Sequence, residues 1–235
     1  MDNYPNERKV VNNSYGLNTF LTKMYGWMGI AILVSAATAY LLATANQGQL
    51  LISMAKSPAI LWGSMILWFV IPFVVSVQSL KRPTLAGAML LIYSILSGVM
   101  FSTLGMRYTG AQIFAAFVSA AAVFVSMSIF GLVTRKNLDK MGTQAMAALI
   151  GLLIAMVINW FLHSSAITMF LSFAAVIIFT LLTAWDTQRM KTTYNQYSDS
   201  ISTSGLAIFG ALQLYLDFVN LFLQLLQLFG GSNRN

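Results

Sequence analysis

Charge is missing from this chain over long distances, and that restricts its fold more than any other feature. Uncharged runs cover Met24–Ala55, Ser57–Leu80, Thr84–Met106, Tyr108–Thr134 and Met141–Trp185. A last run opens at Ser200 and continues to Asn233, broken only by Asp217. A helix that spans a bilayer needs about 20 predominantly apolar residues. Met141–Trp185 is long enough for two, with a turn at His163-Ser164-Ser165. The chain therefore reads as an all-α membrane protein of seven helices, near residues 24–45, 58–80, 84–106, 110–133, 143–162, 165–187 and 206–229. Only 8% of the residues are charged, against about 25% in soluble domains. Connections are short, so the expected organisation is a polar tail at 1–23, one membrane domain at 24–229 and a tail at 230–235.

Orientation is read from Lys and Arg in the connections. Arg8, Lys9, Lys23, Lys81, Arg82, Arg135, Lys136, Lys140, Arg189 and Lys191 fall on one side. Lys56, Arg107 and Arg234 fall on the other. The expectation is a cytoplasmic N-terminus, no cleaved leader, and an integral multi-pass membrane protein. The net charge of +7 is mostly this topology signal and calls for no nucleic-acid partner. The partner implied by the uncharged runs is the lipid bilayer.

Several chemistries are excluded or disfavoured. Cysteine is absent, which removes disulfides, thiolate metal sites and cysteine nucleophiles. The single histidine, His163, lies in a turn. No Gly-x-Ser-x-Gly elbow or His-Glu-x-x-His motif occurs. The chain is not expected to be an enzyme or to hold a resident cofactor. The 14 methionines are scattered through the helices and read as adaptable apolar filler. Small residues four apart mark three faces for close helix packing: Ala31-Ser35-Ala39, Ala111-Ala115-Ser119 and Ala147-Gly151-Ala155. Pro72 falls within the second helix and is expected to kink it.

The last helix differs from the others. Gln213, Asp217, Asn220, Gln224 and Gln227 follow at spacings of 4, 3, 4 and 3, which places them on one helical face. A stripe of that length, about 21 Å, belongs inside a bundle rather than against lipid. Asp217 is its centre. A carboxylate at bilayer depth costs roughly 2.5–3.5 kcal/mol on insertion scales and marks a functional site by default. Its candidate partner is Asp186, read here as closing the sixth helix near the cytoplasmic face. On that reading Asp217 lies about 16 Å along the seventh helix, a gap the sequence alone does not close. If the two carboxylates meet, they cannot both ionise at low cost and would share a proton. A divalent cation would compete with that proton for the oxygens. Lys81 and Arg82 are candidate bases to latch an ionised carboxylate.

At these residues the chain resembles the transmembrane Bax inhibitor motif family. The segment Gly210-Ala211-Leu212-Gln213-Leu214-Tyr215-Leu216-Asp217-Phe218-Val219-Asn220-Leu221-Phe222 is similar to that family's seventh-helix signature. Thr183-Ala184-Trp185-Asp186-Thr187-Gln188 resembles its sixth-helix motif, with Trp185 where Tyr is usual. Tyr25-Gly26-Trp27-Met28 resembles the opening of the first helix in bacterial members. The resemblance implies a seventh helix at the centre, ringed by six. It also implies a pH-sensitive calcium leak, with calcium as transported ion, and maps the family's aspartate pair onto Asp186 and Asp217. Some members carry a glutamate in the second helix, whereas Ser57–Leu80 holds no carboxylate.

Two other readings compete. A proton-coupled transporter would use Asp217 but usually shows broken helices in matching halves, which are not evident here. A regulatory protein would act by binding other membrane proteins, such as a membrane protease.

Overall fold

The computed structural model describes residues 5–44, 58–198 and 200–231. Among these the chain forms seven α-helices and no strand: α1 Pro5–Thr44, α2 Pro58–Ser79, α3 Pro83–Ser102, α4 Gly110–Val133, α5 Asp139–Leu162, α6 Ser165–Tyr197 and α7 Thr203–Gly231. A 3-10 turn, Thr103–Met106, follows α3. Six of the helices have the length and apolar character to cross a bilayer, and α2 offers the shorter stretch Ile66–Ser79. The chain is a multi-pass integral membrane protein. Lys56 and Arg234, both counted in the charge balance, lie outside the described residues, as does the end of the C-terminal tail.

Local chemistry sets most helix ends. Pro58 and Pro83 open α2 and α3, where the missing N–H would have lacked a partner in any case. Thr109 and Gln112 form a reciprocal capping box at the start of α4. His163 closes α5 in the left-handed region, at φ 52°, and its exposed side chain sits in the expected turn. Pro72 lies inside α2, which continues through it to Ser79.

Two helices are longer than hydropathy suggests. α1 begins at Pro5, so most of the segment read as a polar tail is helical. Phe20 and Met24 are fully buried there, and Phe20 stacks on Tyr194 with ring centroids 4.8 Å apart. α6 runs to Tyr197, not to residue 187. Its last turns are polar in composition, but Thr187, Met190 and Tyr194 are all buried. Spacings of three and four put them on one face, so an amphipathic stripe carries the helix past the end of its apolar run.

Chain contacts define two compact units, Met1–Arg107 with Met190–Leu212, and Tyr108–Arg189 with Gln213–Asn235. In the first, α3 lies close to α1: a Cβ at Gly98 would stand 2.6 Å from the Ser35 carbonyl oxygen. The Trp68 indole N–H donates to Ser97 Oγ at 3.1 Å, tying α2 to α3. The first turns of α7 press on α1 and α2, with Gly205 against the Ser79 carbonyl and a Cβ at Gly210 2.5 Å from Met24 Sδ. In the second unit, α5 is joined to α6 by Asn159 Nδ2 donating to Thr168 Oγ1 at 2.7 Å. Phe218 of α7 meets Phe117 and Phe124 of α4 edge-on, at 5.5 and 5.8 Å.

Only one of the three small-residue faces is the packed one. Ala31 and Ser35 are buried as expected. On α4, Ala111 and Ala115 are exposed, and the buried face is Ala116, Ala120, Phe124, Ser128 and Gly131. On α5, Ala147 and Gly151 are exposed, and Gly142, Ala145, Leu152 and Asn159 are buried. Lipid tolerates exposed alanine, so small residues alone do not tell a packed face from a lipid-facing one. α7 is the most enclosed of the spanning helices: 72% of its apolar window is buried, against 11 to 39% in the other five.

Candidate functional site: a buried aspartate pair

Asp186 and Asp217 are level because α6 and α7 both overrun the apolar core. α6 continues eleven residues beyond Asp186, and α7 begins fourteen residues before Asp217. At 1.5 Å per residue these arms are about 16 and 21 Å long. The offset that separated the two acids on paper vanishes once α6 keeps going. Asp186 is therefore not a helix end near the surface. It is an interior residue, 6% exposed, and Asp217 is 5% exposed.

The two carboxyl groups lie close enough to act on each other directly. Two carboxyl groups so placed cannot both ionise at low cost. Asp217 Oδ2 stays buried without a hydrogen-bond partner. Arg189, three residues along α6, acts on Asp186 electrostatically. The sequence counted it only among the topology charges.

The α6 turn around Asp186 is held from outside. Gly142 of α5 lies against the Trp185 ring, and its lack of a Cβ leaves room for the indole between the helices. The Trp185 indole N–H donates to Asp139 Oδ1 at 3.1 Å, and the Arg189 guanidinium lies 5.1 Å from the indole centroid. Gln188 grips the α4–α5 connection with both ends of its amide. Its Oε1 accepts from the Leu138 N–H at 2.8 Å, and its Nε2 donates to the Lys136 carbonyl at 2.9 Å. Gly131 of α4 approaches the Ala184 carbonyl closely enough to leave no room for a Cβ.

The polar stripe of α7 divides in use. Gln227 Oε1 accepts from Ser172 Oγ of α6 at 2.8 Å, a second polar contact along the same pair of helices. Gln224 Oε1 is buried without a partner. Asn220 turns back on its own helix, its Nδ2 donating to the Leu216 carbonyl at 2.8 Å. Gln213 is half-buried. Lys81 and Arg82 belong to the first unit, in the α2–α3 turn. Both are exposed, and both backbone N–H groups bond the Gln78 carbonyl, at 3.1 and 2.7 Å. Ser172 went unread in the sequence, Gln188 appeared only within the sixth-helix motif and Arg189 only as a topology charge. Ser172 carried a signal: it precedes Asp186 by fourteen residues, close to four helical turns, and so shares its face.

Among the described residues no three His, Cys, Asp or Glu side chains gather. The acidic oxygens available to a hard cation here are those of Asp186 and Asp217. Calcium takes six to eight oxygens at about 2.3–2.6 Å, so the pair supplies part of a coordination shell, with the remainder left to neutral oxygens and solvent.

The profile of the family described as "Inhibitor of apoptosis-promoting Bax1" matches residues 17–235. The chain belongs to the Bax inhibitor-1-like family. It is 36% identical to the Inner membrane protein YbhL of Escherichia coli K12 over 235 residues, which covers 98% of this chain and 99% of that protein. It is 38% identical to the YrjE protein of Lactococcus lactis over 237 residues, covering 98% and 100%. A Borreliella burgdorferi protein is 36% identical over 222 residues, covering 93% and 94%. Membership in the Bax inhibitor-1-like family thus extends over all seven helices, including both segments that carry the aspartate pair.

Proposed function

We propose that this protein is a pH-sensitive calcium leak channel, gated by the Asp186–Asp217 pair between α6 and α7. The observation that carries the reading is the pair itself, two buried and interacting carboxyl groups inside membrane-length helices, with one oxygen still unpartnered. A shared proton closes the pair electrically. Its loss leaves two like charges that repel, or that draw in a divalent cation. Gln224, two turns beyond Asp217 on the same face, offers the next free oxygen along α7.

α7 is the central helix of the channel in this reading. Support comes from its high burial and from its contacts with α1 and α2 in one unit and with α4 and α6 in the other. The distribution of Lys and Arg favours a cytoplasmic N-terminus, and the name of the Escherichia coli relative favours a bacterial inner membrane.

The test is calcium release from liposomes that hold the purified protein, followed across a pH series. Wild type should release calcium at a rate that varies with pH, and Asp217→Asn should flatten the profile. Release no faster than from empty liposomes would favour the regulatory reading. Release that needs a proton gradient would favour a coupled transporter.

A further inference from the structure

Four buried side-chain atoms among the described residues have no hydrogen-bond partner: Ser128 Oγ, Asn159 Oδ1, Asp217 Oδ2 and Gln224 Oε1. All four belong to the unit formed by Tyr108–Arg189 and Gln213–Asn235. Asn159 is the one whose free end can be fixed from its neighbours. It is 9% exposed, on the buried face of α5. Its Nδ2 donates to Thr168 Oγ1 at 2.7 Å, and that hydroxyl donates in turn to the Ser164 carbonyl at 2.9 Å. The single hydroxyl hydrogen of Thr168 is thereby used, so its oxygen can only accept from the amide. The Asn159 side chain cannot be turned over without losing that bond, and Oδ1 is left free. A buried acceptor in that condition costs stability, so it calls for a ligand.

Its surroundings indicate which one. Ser172 follows Thr168 by one turn on the same face of α6, where Cβ atoms stand about 5–6 Å apart. Ser172 Oγ donates to Gln227 Oε1 of α7 at 2.8 Å. Consecutive turns of α6 thus reach the Asn159 amide on one side and the Gln227 amide on the other, and bring the two together. Gln227 Oε1 keeps a second lone pair beyond the one it gives Ser172. Gln224, one turn back along α7, adds a buried Oε1 with no partner. The group is uncharged and stands apart from the acids: Gln227 is ten residues from Asp217, about 15 Å along α7. Its free atoms are all acceptors, so what they take is a donor or a cation. We propose that Asn159 Oδ1, Gln224 Oε1 and Gln227 Oε1 form a neutral station for a partly hydrated calcium ion, at the end of α6 and α7 nearer the His163 turn. Amide oxygens are hard donors that suit calcium, and water supplies the rest of its six to eight ligands. With no carboxylate present the hold is weak, which lets an ion enter and leave, as conduction requires.

This inference rests on the leak reading for its purpose, and its test is read without flux. Thermal unfolding of the full chain in detergent is followed against calcium chloride, with potassium chloride of equal ionic strength as the blank. The background is Asp186→Asn with Asp217→Asn, which takes the paired carboxylates out of the measurement. Calcium should still raise the melting temperature above the blank. Asn159→Asp adds a charge to the station and should lower the half-maximal calcium concentration at least about tenfold. Gln224→Met, apolar and of similar length, should be no less stable without calcium, because it removes an unpaired acceptor, and should lose most of the calcium gain. A calcium response equal to the blank would overturn the proposal, as would an Asn159→Asp midpoint equal to that of the background. Gln224→Met melting lower without calcium and keeping the full calcium gain would make that amide a packing group and overturn its place in the station. A midpoint that moves with Asn159→Asp, while wild type passes no calcium in liposomes, would keep the station and remove the leak. Calcium release by wild type with an unmoved midpoint would keep the leak and remove the station.

Discussion

Gln188→Ala should loosen the α6 turn that carries Asp186, and the structure lets the size of that effect be worked out. The amide makes two bonds to the α4–α5 connection, one accepted from the part-buried Leu138 N–H and one donated to the exposed Lys136 carbonyl. A neutral hydrogen bond contributes about 0.5–1.5 kcal/mol net, and a buried donor left without a partner costs about 1–3 kcal/mol. The Lys136 carbonyl can turn to water and falls at the low end. The Leu138 N–H belongs to a residue only 6% exposed, so its loss dominates. The sum is roughly 2–3 kcal/mol, or a fall in melting temperature of about 4–10 °C for a chain of this size. Gln188→Glu gives the graded control. It keeps an acceptor for Leu138 and loses the donor to Lys136, so it should recover more than half of the loss. Differential scanning fluorimetry of the three proteins in one detergent reads all of this. Should Gln188→Ala melt with wild type, or Gln188→Glu be the worse of the two, the clamp does not hold α6.

Three further outcomes follow from neighbouring contacts. Gly131→Ala places a methyl against the Ala184 backbone and should cost about 1–3 kcal/mol through overpacking, seen as a lower melting temperature. Ser172→Ala removes the donor to Gln227. Polar contacts between membrane helices average about 0.6 kcal/mol and reach about 1.7, so denaturant titration in mixed micelles should show a loss in that range and no more. Trp185→Phe deletes the exposed bond to Asp139 and keeps a ring against Gly142. It should cost less than about 1 kcal/mol, and a larger drop in melting temperature would mean the indole N–H matters more than its exposure implies.

Hydropathy located every spanning helix, because runs without charge report the bilayer directly. It misplaced the far end of α6. The segment from Thr187 to Tyr197 is polar in composition, and its one buried stripe is too narrow to lift an average over the window. That error moved Asp186 from the interior to the surface on paper and opened a gap of about 16 Å between residues that act on each other directly. Asp217 was legible because a lone acid in an apolar run has few bland explanations. Ser128 was not, because nothing in its sequence neighbourhood, Phe124-Val125-Ser126-Met127-Ser128, separates it from Ser126. The structure does so by one fact: Ser126 bonds back to the Ala122 carbonyl at 2.7 Å and is exposed, whereas Ser128 is buried and does not.

Energetics explain why an acid pair suits this seam. Helices in lipid gain nothing from hydrophobic association, so α6 and α7 adhere through packing and a few polar contacts. One of those contacts, Ser172 to Gln227, is neutral and indifferent to pH, and is worth about 1 kcal/mol. The other, Asp186 to Asp217, would depend on a proton in the proposed channel. Two unit charges about 4 Å apart at an effective dielectric constant near 20 repel by about 4 kcal/mol. Losing the shared proton would therefore outweigh the neutral contact, and the seam would part at the aspartates while Ser172 and Gln227 still hold its other end. A divalent cation reverses the sign of that term. It would draw the same two carboxylates together, so in the proposed leak one position would serve both the proton and the ion.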